Sequence, residues 1–407
     1  MTQTFFVTNS LGVGTNRDAW VYDSSKRNLV VNVNITLNYY NQCSFEYKNS
    51  INKDTKLFLK DKLDSSKIVW TASIQKDLER GLTHTYDSDR VYIAMYRPFF
   101  KQYLYFDRSL NHRVYRQLSF FPTKEKANIV ICLAGVGRNK EYSLFISSYV
   151  SDLQLIANGQ CFPLYWYEDI EEPKGKTADL FDEAPKENSE RYVRRDGITD
   201  FALNTACQQY KTSDISKEDI FYYVYGFLHS EDYRSAFDAD LKKMLARIPF
   251  VESYEDFRAF EKAGRELAHY HLNYEDIPAY SGVEVEYKKG KDEADYTVTK
   301  LRFAKKRVEG KSVNDRSTII YNKHITIKNI PEEAYNYEVN GRSAIEWIID
   351  RYQVRTDKKS GITNDPNDWG REHGNKRYIL DLLLSVITVS MESVRIVKSL
   401  PKLDFEE

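Results

Sequence analysis

An α+β fold is predicted, with a mixed β-sheet part, a helical module and a buried C-terminal helix. Three observations predict it. Residues 90–134 and 283–328 hold short runs rich in β-branched and aromatic side chains, bounded by Gly, Pro, Asn and Asp. Between these blocks, residues 196–274 keep apolar side chains at helical spacing through four successive stretches. Near the end, residues 377–400 are apolar around most of a helical circumference in their first half, which marks a buried helix.

The elements follow in order. SLGVGTNRDAWVY (residues 10–22) reads as a turn; Gly12, Gly14 and Thr15 suggest a phosphate cradle but match neither G-x-x-x-x-G-K-[ST] nor G-x-G-x-x-G. Ser25 caps a helix over 26–41, with Leu29, Val33 and Leu37 on one face. A second helix is expected over 46–62, and Ser73 is placed to cap a short one ending at Arg80. VYIAMY and YLYF read as strands interrupted by Pro98, and RVYRQLSFF as a further run after the loop DRSLN. IVICLA (129–134) reads as a buried strand, ended by Gly135 and Gly137, with Arg138 and Lys140 adding positive charge there. Residues 168–190 hold nine acids against three lysines, with Pro173, Gly175 and Pro185, and read as a solvated linker or insertion.

Four helices are expected over 198–210, 217–229, 231–247 and 254–272, with Ser216 and Asp219 as a capping pair and Pro249 as a stop. Strands return over 283–328; a short helix covers 344–352, and a long polar loop anchored by Trp369 leads to the last helix. The expected divisions are 1–85 (helical), 86–167 (aromatic and basic, β-rich), 168–190 (acidic), 191–280 (helical) and 281–407 (basic β-region and final helix).

Composition narrows the function. Apolar residues make up 42% of 407, enough for real cores, and the net charge is −1, so attraction to a polyanion has to come from local patches. Four scattered cysteines without C-x-x-C spacing argue against a zinc site or disulfide scaffold and point to a reducing cytoplasm. There is no basic-then-apolar leader, and the longest apolar run, around 379–391, contains Asp381 and is too short to span a bilayer. A soluble cytoplasmic protein without a membrane partner is expected.

Local patches do exist. Residues 86–122 hold eleven aromatics in 37 positions, and five Lys/Arg against one acid, Asp107, lie between Arg97 and Arg116. Arg108, Asn111, His112, Arg113, Arg116 and Gln117 crowd together there. Arginine pairs bidentately with guanine and Asn or Gln with adenine, while aromatic faces stack on bases or support guanidinium planes. An aromatic-rich hairpin with ordinary surface charge has the same composition. Residues 300–328 hold nine Lys/Arg and two acids, with Lys305, Lys306 and Arg307 consecutive. Alone, that pattern is a sheet edge guarded against aggregation; beside a second basic patch it favours phosphate contact.

YRPFFKQYLYFDRSLNHRVYRQ resembles the target-recognition region of Type ISP restriction–modification enzymes. Three further segments resemble it in the same order: SLGVGTNRDAWVY; ITDFALNTACQQY with EDIFYYVYGFLHSEDYRSAFDADLKKMLARIP; and DRYQVRTDKKSGITNDPNDW with YILDLLLSVITVSMESVRIV. The likeness runs over about 10–401. Such enzymes join a nuclease, a helicase-type translocase, an adenine N6-methyltransferase and a C-terminal specificity domain, and this chain resembles the last. The resemblance implies sequence-specific binding of double-stranded DNA, a junction to the methyltransferase through residues 1–85, and methylation and cleavage carried out by the other domains. Taken with the two basic patches, base contacts in the major groove are expected among Arg97, Arg108, Asn111, Arg113, Arg116 and Gln117, and phosphate contacts from Lys305, Lys306, Arg307 and Arg316.

Catalytic motifs do not stand beside it. The methyltransferase tetrapeptide D/N-P-P-[YF] is missing, since residues 364–369 lack the second proline; no Walker lysine occurs. Glu284, Glu286 and Lys288 form a nuclease-like string of a kind that arises by chance at 29% charged residues, and His269 and His271 are two apart on a helix, unlike a metal pair at i, i+4. No catalytic residue, metal or cofactor is therefore expected in this chain; S-adenosylmethionine, ATP and magnesium belong to other domains in the family. Two alternatives stay open: an enzyme fragment with degenerate methyltransferase or nuclease activity, and a protein-contact module coupling a translocase to its neighbours.

Overall fold

The computed structural model describes residues 4–135, 142–170, 191–288 and 295–405. It is α+β, as expected. The chain opens with β1 (Ser10–Leu11), the one-turn helix α1 (Asp18–Val21) and β2 (Tyr22–Asp23). Helix α2 (Lys26–Asn49) starts where the sequence places it, with the Ser25 hydroxyl accepting from the Asn28 N–H at 3.0 Å. It runs on through Asn49 because Tyr40, Cys43, Ser44 and Tyr47 continue its buried face. The helix expected over 46–62 is thereby reduced to one turn, α3 (Thr55–Leu59), capped by Asp54. Helix α4 (Ala72–Glu79) has Thr71, not Ser73, at its N-cap.

β3 (Val91–Arg97) and β4 (Phe100–Tyr105) pair as a hairpin across Pro98 and Phe99, which takes a φ of 59°. RVYRQLSFF is not a strand. Tyr115 adopts a φ of 46° and the chain turns into α5 (Gln117–Phe120). β5 (Val130–Leu133), β6 (Leu144–Ser147), β7 (Val150–Ser151) and β8 (Gln160–Pro163) follow. Two four-stranded sheets result, in the orders β1-β8-β5-β6 and β2-β4-β3-β7. Gly137, Arg138 and Lys140 lie outside the described residues, as does the acidic run from 171 to 190. The residues flanking that run pair with each other: β9 (Tyr165–Asp169) and β10 (Tyr192–Asp196) form a ladder with Arg191 on Asp169 and Arg195 on Glu168, both at 2.7 Å.

The helical block is α6 (Asp200–Tyr210), α7 (Lys217–Phe227), α8 (Glu231–Ala236), α9 (Asp238–Leu241) and α10 (Tyr254–Leu272). The Ser216–Asp219 capping box is formed. The single helix expected over 231–247 breaks at Phe237, which leaves helical geometry and packs its ring on Tyr233 and Phe405. Helices α7 and α10 pack backbone to backbone at a glycine pair. A Cβ on Gly264 would stand 1.9 Å from the Tyr222 carbonyl oxygen, and one on Gly226 2.0 Å from that of Phe260.

β11 (Glu284–Tyr287), β12 (Arg302–Val308), β13 (Lys311–Ile320) and β14 (Ile325–Lys328) form the third sheet, in the order β11-β14-β13-β12. Helix α11 (Ala344–Arg351) opens on a Ser343–Glu346 capping box. The expected polar loop contains one short helix, α12 (Asn367–Glu372), with Trp369 buried as its anchor. Helix α13 (Tyr378–Lys398) is buried along most of its length.

Two cores result, and both cross the expected divisions. One gathers α2, the β3–β4 hairpin, β13, β14, α11 and most of α13; the other gathers Phe5, Phe6, β5, β6, the helical block and the end of α13. Phe99 alone touches Phe145, Tyr274 and Tyr337. Among the described residues, no helix is long and apolar enough to cross a membrane.

Gly264→Ala is expected to cost about 1–3 kcal/mol through overpacking, read as a lower urea midpoint at unchanged slope. Burial lowers the pKa of His229 from 6.5 to about 4 and holds that of His271 well below its ordinary value. These rings fold neutral, so their contribution is complete above pH 6.5 and is lost as pH falls toward about 4. Burial raises Asp23 to about 7 and Asp152 to about 6, and these act in the opposite direction. The readout is therefore a difference: the pH dependence of stability in this window should become less acid-sensitive in His229→Gln, by on the order of 3 kcal/mol.

Candidate nucleic-acid interface

The segment 106–117 is laid against the N-terminal turn by backbone pairing. The Gly14 N–H donates to the Arg113 carbonyl at 2.9 Å and the Arg113 N–H returns to the Gly14 carbonyl at 2.8 Å. Gly12 and Gly14 thus serve a turn and a close approach, not a phosphate cradle; a Cβ on Gly12 would meet the Asp152 carbonyl at 2.5 Å. With its backbone held, Arg113 projects an exposed guanidinium whose Nη1 donates to the Tyr115 hydroxyl at 3.3 Å. Arg108 is exposed and makes no hydrogen bond or ion pair among the described residues.

The other four candidates of this stretch are turned to structural work. Asn111 is 2% exposed and its Nδ2 donates to the Tyr105 carbonyl at 3.1 Å. Gln117 is fully buried, with Nε2 donating to the Leu11 carbonyl at 3.1 Å. Arg97 donates to Asp152 Oδ1 at 2.7 Å, lies 3.9 Å over the Tyr96 ring, and is largely buried. Burial works against its charge, and Asp152 with Tyr96, Asp18 and Tyr22 together more than restore it, while burial pushes the Asp152 carboxyl up to about 6 with Arg97 pulling against it. Arg116 is exposed but tethered, Nη1 to Thr8 Oγ1 at 2.8 Å. The rings expected to stack on bases are mostly core: Tyr92, Phe99, Phe100, Tyr105, Phe106, Phe120 and Phe121 are all buried.

The second basic group sits on β12 and β13. Lys305 Nζ donates to Asn314 Oδ1 at 2.6 Å, Lys306 lies 3.5 Å from Asp315, and Arg316 pairs with Glu346 at 3.0 Å over the Tyr335 ring. Arg307 is exposed and has no hydrogen bond or ion pair among the described residues. No hydrogen bond or ion pair joins this group to the 106–117 segment among those residues. The register places Asn314, which is outside the residues expected from sequence, opposite Lys305. Neither His269, which is exposed, nor His271, which bonds Tyr225 and Ser393, belongs to a metal site; among the described residues no group of three His, Cys, Asp or Glu could hold an ion.

A family model for the Type ISP C-terminal specificity domain matches residues 4–382. The chain belongs to this family. Within it, a nuclease-deletion mutant of the Type ISP restriction-modification enzyme LlaGI, solved in complex with a DNA substrate mimic, is similar at 38% identity and a TM-score of 0.82, over 100% of this chain and 34% of that one. The ATP-dependent Type ISP enzyme LlaBIII bound to DNA is similar at 36% identity and 0.82, over 100% of this chain and 24% of that one. A DrdV–DNA complex is similar at 27% identity and 0.80, over 98% and 36%. This specificity domain thus spans about a quarter to a third of the length of those relatives. No curated protein matches it.

Arg97→Ala in this specificity domain is expected to leave a buried, unpaired Asp152 and to lower stability by about 3–5 kcal/mol. A thermal melt unchanged from wild type would instead free Arg97 for a role at the surface.

Proposed function

We propose that this chain is the part of a Type ISP enzyme that recognises a specific duplex DNA sequence, and that the methylation of adenine N6 and the cleavage of DNA are carried out by other domains of the same polypeptide. Membership of the specificity-domain family carries the reading, and the relatives solved with DNA support it. The exposed Arg113, fixed by its backbone pairing to Gly14, supplies the residue-level rationale. A guanidinium on a loop whose backbone is already held approaches guanine O6 and N7 without a further backbone ordering cost, so only side-chain freedom is lost. Arg108 stands on the same loop. Asn111, Gln117 and Arg97 support the loop from inside, and Arg116 ties it to Thr8.

Lys305, Lys306, Arg307 and Arg316 supply positive charge for affinity on any sequence, since phosphate neutralisation releases counterions without reading bases. In this reading S-adenosylmethionine, ATP and magnesium are bound by other domains, the target adenine is flipped into the methyltransferase, and this domain determines which adenine that is. The enzyme acts in the cytoplasm, where its DNA substrates are.

Titration of two variants against a selected and a scrambled duplex across salt tests this. Arg113→Ala is expected to lose about 1–3 kcal/mol on the selected duplex and little on the scrambled one. Lys306→Ala is expected to weaken both alike and reduce the log-affinity against log-salt slope by about one. Equal weakening of both duplexes by Arg113→Ala would make Arg113 a phosphate contact, and no duplex affinity at low salt would leave a protein-contact module.

A further inference from the structure

The β12–β13 pair leaves its sheet. β14 pairs with β13 only at Ile319 and Ile320, and the register of β12 on β13 shifts between Phe303 and Ala304. Beyond that bulge, five cross-strand pairs from Ala304↔Asp315 to Val308↔Lys311 are bonded to each other and to no third strand. Glu309 and Gly310 close the ribbon with φ of 49° and 77°, the two positive values a tight two-residue hairpin turn needs. Most of the ribbon is exposed on both faces, including Val308 and Val313. A free two-stranded ribbon is marginal in water, and the DNA major groove, about 12 Å wide, admits one.

The register sorts its side chains. Directly opposite residues share a face, and successive residues alternate. One face carries Ala304, Lys306 and Val308 with Lys311, Val313 and Asp315, so its central cation is already beside an acid. The other carries Lys305 and Arg307 with Ser312 and Asn314, without an acid or an apolar side chain. On that face Arg307 stands opposite the short Ser312, and among the described residues its fork has no hydrogen-bond or ion-pair partner. Lys305 holds Asn314 through Oδ1, which fixes the plane of the amide and leaves its second lone pair and both Nδ2 protons available. A guarded sheet edge needs charge, but it has no need for a face that combines a free guanidinium with an oriented amide.

We propose that this ribbon enters a groove of the duplex with the Lys305–Arg307–Ser312–Asn314 face inward, and that Arg307 reads a guanine and Asn314 an adenine close to it. Base readout is then divided between the Arg113 loop and the ribbon. This rests on the duplex-recognition reading above and goes beyond it, because it takes Arg307 from the phosphate contacts and adds a base-reading residue, Asn314.

Selection of binding sites from random duplexes with the 407-residue chain, followed by titration, tests it. Arg307→Ala and Asn314→Ala should each lose preference at one base pair and weaken the selected duplex about 5- to 150-fold; a scrambled duplex should change less than about 2-fold with Asn314→Ala and, through the lost charge, several-fold less than the selected one with Arg307→Ala. Arg307→Lys keeps the charge and loses the fork, so it should retain the salt slope and still lose the base preference. Unaltered melting curves show that the fold is intact. If both alanine variants weaken selected and scrambled duplexes equally, or leave the selected sequence unchanged, the ribbon is a phosphate contact or a guarded edge and the proposal is overturned. Wild-type chain without duplex affinity at low salt would instead overturn the underlying reading.

Discussion

The burial of α13 is the constraint on which the rest of the molecule depends. Ile379 to Val394 pack into one core, and Ile396 with Leu400 into the other, so the helix is common to both. Each large aliphatic side chain buried this way contributes about 1.5–3 kcal/mol before chain entropy is subtracted. Its few interior polar groups are satisfied. Ser393 bonds His271, which bonds Tyr225, and Ser385 reaches the Tyr274 carbonyl. A buried chain of this kind costs heavily if one member is left unpaired, so it also fixes how α10 meets α13.

That shared support explains why the basic loop can be rigid although it is a loop. Its base rests on the hairpin β3–β4, whose Phe99 and Phe100 reach into the core as far as Tyr274 and Tyr352. Its far side is closed by the Gly14–Arg113 backbone pairing. Asn111 and Gln117 donate their amide nitrogens to the main-chain carbonyls of Tyr105 and Leu11. A rigid scaffold that presents a few exposed side chains on a connecting segment is the usual economy of recognition sites. The ribbon follows the opposite plan: it has little packing beneath it, and its order comes from its own ladder and turn.

Much of the fold was legible because it depends on local rules. Ser25 and Ser216 cap the helices that follow them, α10 has the predicted bounds, and IVICLA is a strand with every side chain of its ladder buried. The errors have local causes too. A helix continued past Asn41 because its buried face did, and RVYRQLSFF bent because Tyr115 sits at positive φ, which an apolar pattern does not reveal.

By itself, the sequence determined α6, α7, α10 and α13, the two basic patches, the lack of catalytic motifs and the family, since these reside in spacing, composition and collinear segments. Only the tertiary structure decided which residues of those patches face outward. Arg97, Asn111, Arg113 and Gln117 all have base-reading side chains in the sequence, but direction in an irregular loop is set by the long-range partners Asp152, Gly14 and Leu11. Likewise, strand alternation sorts Lys305 from Lys306, but only the pairing of β12 on β13 places Asn314 beside Lys305 and Asp315 beside Lys306. Register is a contact between segments, and no single segment contains it.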